Sequence, residues 1–149
     1  MRRLVDTNIL VHAANEDSAK HAPAMRYLKE LTASGESWCL TWGIIYEFLR
    51  VATDARVFHD PFSPEEALEF AGKLINRAEV VMLSATPRHG AMLASTAAEL
   101  SHPAGNLFHD IETAVLMREH GVPEIVTADT DFLQFRFLKV TNPLLSRGR

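Results

Sequence analysis

Two short apolar runs that each stop at an aspartate constrain the fold more than any other feature of this chain. Leu4-Val5 ends at Asp6-Thr7-Asn8, and the Ile-Val-Thr-Ala run at positions 125–128 ends at Asp129, with Asp131 two residues further on. A short apolar run closed by turn-forming and capping residues reads as a buried strand. Further runs at 38–40, 80–83 and 137–140 read the same way. Between them the apolar spacing changes to that of helices. Ala24, Tyr27, Leu28 and Leu31 mark one helix over 21–31. Ile44, Ile45, Phe48, Leu49, Val51 and Ala52, behind Thr41 as N-cap, mark a second. Ser63-Pro64-Glu65-Glu66 combines a cap, a first-turn proline and first-turn acids, predicting a helix to about 77. Helices over 88–100 and 108–120 follow, the last stopped by Gly121. Strands alternating with helices over short connections predict an α/β sandwich around a mostly parallel sheet.

At 149 residues and 47% hydrophobic, the chain has material for one well-covered core, so a single domain over 1–149 is expected. The formal charge of −4 provides no overall basic field, and nucleic-acid binding would have to come from local patches. The single cysteine, Cys39, lies in the apolar run Trp38-Cys39-Leu40 and reads as a buried hydrophobe, which fits a reducing compartment. No apolar stretch has the length of a signal-peptide core or a membrane span, so a soluble cytoplasmic protein is expected. The histidines show no pair at ligand spacing and no cysteine partner, which argues against zinc.

In an open parallel sheet, ligand sites lie at the carboxyl ends of the strands, so Asp6 and Asp129 are expected at one edge. If the backbone stays extended past Asp129, the Asp129 and Asp131 carboxylates point to one side. Glu47 falls at the margin of the Ile44/Phe48/Val51 face of its helix, and Asp110 at the edge of the Ile111/Val115 stripe. Each acid alone has an ordinary explanation as a turn former or a first-turn helix residue. Gathered at one edge they would repel one another and raise each other's pKa unless a hard cation neutralised them. Oxygen-only ligands suit Mg²⁺ or Mn²⁺, and such ions can activate water against a phosphodiester.

The ordered set Asp6-Thr7-Asn8, Glu47, Asn106-Leu107-Phe108-His109-Asp110 and Thr127-Ala128-Asp129-Thr130-Asp131-Phe132 resembles a PIN domain, and the bacterial VapC toxins in particular. The likeness extends through Arg56-Val57-Phe58 with Pro61, Pro87-Arg88-His89 and the tail from Val140 to Leu144. It implies a PIN-like α/β/α fold, Mg²⁺- or Mn²⁺-dependent endoribonuclease activity, a cognate antitoxin that occupies the site, and a homodimer. It maps Asp6, Glu47, Asp110 and Asp129 onto the family's acidic quartet and Asp131 onto an additional metal-binding acid. Thr7, Asn8 and Thr127 fall where the family's polar residues orient ligands or waters. Glu112 departs from the usual small or apolar continuation after Asp110, and reads as a first-turn acid favoured by the helix dipole.

Two other readings share these residues. A catalytically silent RNA- or protein-binding module could keep the fold. A haloacid-dehalogenase-like phosphatase also uses Asp-x-Asp with Mg²⁺, but that motif normally opens the chain, and too little follows Asp131 to build the rest of the site. Among the basic residues, which include Arg136, Lys139, Arg147 and Arg149 near the end, Arg50 and Arg118 are the candidate RNA contacts, because each follows a site acid on its own helix. His109 adjoins Asp110 and reads as a helix-start histidine.

Overall fold

The structure is a computed structural model describing residues 2–145. Arg147 and Arg149 lie outside the described residues. Five strands, β1 (Arg3–Val5), β2 (Trp38–Thr41), β3 (Val80–Leu83), β4 (Glu124–Val126) and β5 (Lys139–Thr141), form one sheet in the order β3-β2-β1-β4-β5. Every pairing is parallel. Six helices connect them: α1 (Thr7–Ala14), α2 (His21–Ala33), α3 (Trp42–Ala52), α4 (Pro64–Ile75), α5 (His89–Ala98) and α6 (Leu107–Glu119). A 3₁₀ turn over Thr130–Gln134 joins β4 to β5.

Strand order decides where the helices lie. The crossovers β1→β2 and β2→β3 move one way across the sheet, whereas β3→β4 and β4→β5 move the other way. Right-handed crossovers therefore place α1 to α4 on one face, with α5, α6 and the 3₁₀ turn on the opposite face. The packing agrees: α1 packs on α2 and α3, α3 on α4, and α5 on α6. The direction reverses between β1 and β4, which makes their carboxyl ends the topological switch point of the sheet.

The central strands are apolar on both faces, as a covered parallel sheet requires. Leu4, Val5, Cys39, Leu40, Ile125 and Val126 are all fully buried. The helices present single apolar stripes to them. On α3, Ile44, Ile45 and Phe48 are buried, and Thr41 caps the helix by accepting the Ile44 N–H at 3.1 Å. On α4, Ser63 and Glu66 close a reciprocal capping box. Gly121 takes the left-handed conformation (φ 65°) that ends α6.

Two strand boundaries differ from expectation by two residues. β4 ends at Val126 rather than at 128, because past Thr127 the backbone donors turn to side chains, the Ala128 N–H to Asn8 Oδ1 and the Asp129 N–H to Thr127 Oγ1. β5 begins at Lys139 rather than 137, because the Leu138 N–H turns back to the Phe135 carbonyl at 3.0 Å. Phe48 anchors α3: it is fully buried and stacks on Phe70 with centroids 4.9 Å apart. Replacing Phe48 with Ala should destabilise the fold by about 3–5 kcal/mol. Urea unfolding would read this as a lowered midpoint, and a loss under 1 kcal/mol would show that α3 is not held by this contact.

Candidate metal centre and active site

Asp6 and Asp129 are set side by side by backbone pairing. Val5 sits opposite Val126 in the parallel ladder, and the Asp6 N–H donates to the Val126 carbonyl at 3.0 Å. Both chains leave the sheet at that level. Asp6 becomes the N-cap of α1, accepting the Thr7 N–H at 2.8 Å, and Asp129 becomes the N-cap of the 3₁₀ turn, accepting the Asp131 N–H at 2.9 Å. The backbone therefore does not stay extended past Asp129. It coils at once, and Asp131 enters the first turn of the 3₁₀ segment. The carboxylates still converge, through a cap rather than an alternating strand.

α6 runs antiparallel to the strands and starts at the same edge, which puts Asp110 in its first turn over the switch point. One carboxylate oxygen from each of Asp110, Asp129 and Asp131 lies within 4.8 Å of the others. Asp6 and Glu47 stand beside this triad rather than in it, and with Asp110 they line the adjoining pockets. Each aspartate sits at the amino end of a helix or turn, where unpaired N–H groups partly offset a negative charge.

A closed hydrogen-bond network fixes Asp6. Thr127 Oγ1 donates to Asp6 Oδ2 at 2.7 Å and accepts from the Asp129 N–H at 3.0 Å. Asn8 Nδ2 reaches both Asp6 Oδ2 at 3.1 Å and Thr127 Oγ1 at 2.9 Å, while Asn8 Oδ1 accepts the Ala128 N–H at 3.0 Å. Asn8 and Thr127 thus orient an acid directly. The Thr7 hydroxyl is buried beside them without a partner among the described residues. It lines the pocket with Asp6, Glu47 and Asp110, where a water or an ion can satisfy it.

The electrostatics state the same requirement as the geometry. Burial raises the Asp110 carboxyl to about 7, and the charges of Asp129, Asp6, Asp131 and Glu47 add to the rise. Burial also raises Asp6, against the bonds from Thr127 and Thr7, with Glu47 and Asp129 adding to the rise. A group of carboxylates this close is unfavourable alone and favourable around a divalent cation. The donor set is all oxygen and includes the unpartnered Thr7 hydroxyl, so the residues present fit a hard divalent ion.

The other predicted residues divide. Arg50 reaches Glu47 at 3.5 Å and lines a cleft of about 770 Å³ with Asp110, Asp129 and Asp131. Arg118 does not join them. It lies about 12 Å along α6 from Asp110, at 1.5 Å per residue. There it pairs with Glu99 at 3.0 Å and covers the Phe137 ring at 4.5 Å. Its charge is engaged where the chain before β5 meets α5 and α6, away from the acidic cleft. Glu112 is exposed on the cleft wall near Gly43, outside the close triad. Tyr46, Asn106 and His109 also line the cleft. Tyr46 escaped the sequence reading, although a large aromatic on α3 away from the Ile44/Phe48 stripe was a legible sign.

The PIN domain family model matches residues 3–138. This chain belongs to the PIN domain family. Within it, Ribonuclease VapC33 of Mycobacterium tuberculosis is 30% identical over 139 residues, 93% of this chain and 96% of that protein. Ribonuclease VapC37 of the same organism is 29% identical over 141 residues, 95% of this chain and 96% of that protein. Among solved structures, VapBC2 from Rickettsia felis, bound to a DNA fragment from its promoter, superposes with a TM-score of 0.68 at 19% identity, covering 95% of this chain and 98% of that one. Mycobacterium tuberculosis VapC20, a sarcin-ricin loop cleaving toxin, gives 0.67 at 19%, covering 94% and 99%. These likenesses show the PIN α/β/α fold.

In this PIN domain the Asp110 carboxyl holds its proton to about 7 in the fold, whereas an unfolded aspartate loses it near pH ~4. Between those values the native state binds more protons, so stability in EDTA should fall as pH rises and level off above pH ~7. Asp110→Asn should flatten that slope and raise Tm at pH ~8 in EDTA by about 2–4 °C. A thermal melt showing the variant no more stable than the parent chain would mean that the carboxylates do not repel one another as placed.

Proposed function

We propose that this PIN domain is a VapC-type endoribonuclease, the toxin of a toxin–antitoxin pair, which hydrolyses RNA phosphodiester bonds with Mg²⁺ or Mn²⁺. The observation that carries the reading is the Asp110/Asp129/Asp131 triad at the switch point of the sheet, its oxygens within 4.8 Å of one another. The relatives named VapC ribonucleases span almost the whole chain and support the same reading.

Asp110, Asp129 and Asp131 would hold the cation, with Asp6 and Glu47 extending the acid set toward the adjoining pocket. When bound, a divalent ion lowers the cost of generating hydroxide at neutral pH and neutralises charge on the phosphate. The chain's own work is positional. Thr127 and Asn8 hold Asp6 in one rotamer, so that it can accept a hydrogen bond from a water and aim it at phosphorus. The Thr7 hydroxyl offers such a water a second contact. Arg50 stands at the mouth of the cleft, where its guanidinium can meet a phosphate flanking the bond to be cut.

The reading includes a cognate antitoxin that covers the acidic cleft, a homodimeric toxin, one nuclease domain over 1–149 and a cytoplasmic site of action. The solved neighbour VapBC2 from Rickettsia felis, bound to a DNA fragment from its promoter, supports the paired-protein part of this reading. No helix among the described residues is long and apolar enough to cross a membrane.

Purified protein incubated with RNA and Mg²⁺ or Mn²⁺ should cleave it. EDTA should abolish cleavage, and Asp129→Asn should lower it by about 100-fold or more, with weaker Mn²⁺ binding by calorimetry. No cleavage with metal binding intact would move the reading to a silent RNA- or protein-binding module, or to a phosphatase tested on small phosphate esters. If Arg50 meets a phosphate, Arg50→Gln should reduce the slope of log K against log salt by about 1. An unchanged slope would remove Arg50 from the RNA path.

A further inference from the structure

We infer that Glu119 is a positioning residue: held in a buried pin at the far end of α6, it sets the rotation of that helix and so the place of Asp110 in the metal triad. The inference rests on the metal-dependent ribonuclease reading and adds a residue to it. The Glu119 side chain is fully buried. Its Oε1 accepts the Thr86 N–H at 3.0 Å and the Thr86 hydroxyl at 2.5 Å, and its Oε2 meets His89 Nδ1 at 2.6 Å. The backbone is tied as well: Arg88 donates to the Glu119 carbonyl at 3.2 Å, and His120 Nε2 meets the Ser84 carbonyl at 2.7 Å. Residues 84–89, between β3 and the first turn of α5, are thereby fastened to the last turn of α6. Burial works to raise the Glu119 carboxyl, but the bonds from Thr86 and His89 hold it below the ordinary range, so it accepts as a carboxylate.

α6 needs such a pin because its burial has no direction. Residues 113–117 are buried without a break, and five consecutive positions at ~100° each pass round the whole helix. α3, by contrast, has a solvent face opposite its buried Ile44/Phe48 stripe, and the stripe indexes it. Apolar burial is non-directional, so on a helix covered on every side the rotation is left to side-chain shape and to directional bonds. A buried charge is a poor source of stability, since apolar residues of the same volume pack as well; what it supplies here is direction. Arg118 ties the same turn to Thr96 and Glu99, but Glu99 is half exposed and water screens that pair. Asp110 and Glu119 are nine residues apart, which places them about 13–14 Å apart along the axis and on opposite sides of the helix. A turn of ~20° at a side-chain radius of ~5–6 Å would carry the Asp110 carboxylate about 2 Å. Cation sites tolerate a few tenths of an ångström, so the Asp110, Asp129 and Asp131 oxygens, now within 4.8 Å of one another, would no longer share an ion well.

The test reads Mn²⁺ affinity by calorimetry on the full-length protein, well below the Tm of each variant. Glu119→Ala should weaken Mn²⁺ binding about tenfold or more. Thr86→Val combined with His89→Leu cuts the pin from the loop side, leaves α6 untouched, and should weaken binding by about the same factor. Glu119→Gln keeps an oxygen for Thr86 and offers an amide N–H to a neutral His89, so it should stay within about threefold of the parent. Leu31→Ala truncates the core in the last turn of α2; it should lower Tm and leave Mn²⁺ affinity within about twofold. In an Asp110→Asn background, which keeps the other acids, adding Glu119→Ala should cost less than about twofold more, because the carboxylate it positions is gone.

A folded Glu119→Ala protein, or a folded loop-side double variant, with the parent's Mn²⁺ affinity would overturn the pin. So would an equal loss in Leu31→Ala, which would reduce the effect to general destabilisation. The full loss recurring in the Asp110→Asn background would show that Glu119 does not act through Asp110. Glu119→Gln as weak as Glu119→Ala would assign the effect to the negative charge instead of the bonds. If Glu119→Ala does not fold, the loop-side double variant decides. The ribonuclease reading fails separately, in the parent chain itself: no Mn²⁺ bound and no RNA cleaved would remove the metal site, and the pin with it.

Discussion

The parallel pairing of β1 with β4 is the constraint on which the rest of the site depends. Opposing Val5 to Val126 forces Asp6 and Asp129 to leave the sheet at one level and in one place. That register is specified by burial, because a slip by one residue would draw an acid at a strand end into the covered ladder and move one of the fully buried residues Leu4, Val5, Ile125 or Val126 to its edge. The apolar core therefore supplies the force that holds like charges together. Carboxylates that would separate in a flexible chain remain close because separating them would expose buried apolar strands.

The site reduces its electrostatic cost by its choice of elements. Asp6, Asp110, Asp129 and Asp131 each stand at the amino end of a helix or 3₁₀ turn. At Asp6 and Asp129 an N–H group there satisfies a carboxylate oxygen, and at all four positions the amino end offsets part of the charge. The offset is incomplete, which is why the Asp110 carboxyl is still raised to about 7 by burial and its neighbours. Complete neutralisation would leave the chain little reason to take up a cation. Partial neutralisation gives a fold stable enough to form and a site that gains most when a divalent ion enters.

Much of this was legible in the sequence for a physical reason: strands buried on both faces write themselves as short apolar runs, and the aspartates that end them lie next to those runs. The strand and helix order, the cap at Thr41, the Ser63/Glu66 capping box and the edge shared by Asp6 and Asp129 all follow from local patterns. Three features did not. The coil after Asp129 depends on its side chain capping Asp131, a contact that competes with extension and has no periodic signature. The start of β5 depends on a turn back to Phe135. The contacts of Arg118 with Glu99 and Phe137 are made only by tertiary packing and have no local signature. Eight residues of helix place Arg118 about 12 Å along the axis from Asp110.

Arg50 and Tyr46 show the same geometry working in the other direction. Successive residues on a helix point about 100° apart, so Glu47 projects between the directions of Tyr46 and Phe48. Phe48 is locked in the core against Phe70, which fixes the rotation of α3. That rotation aims Glu47 at the acidic pockets and leaves Tyr46 and Arg50 on the cleft side, facing solvent. A single buried ring thus determines how an acid, an aromatic face and a guanidinium are presented together. A change in the packing of Phe48 would move all three at once relative to Asp110 and Asp129, which are held by β1, β4 and α6 and would stay in place. The acids at the switch point and the exposed groups of α3 are thus held by separate parts of the core, so a substitution on the outer face of α3 leaves the Asp110/Asp129/Asp131 triad undisturbed.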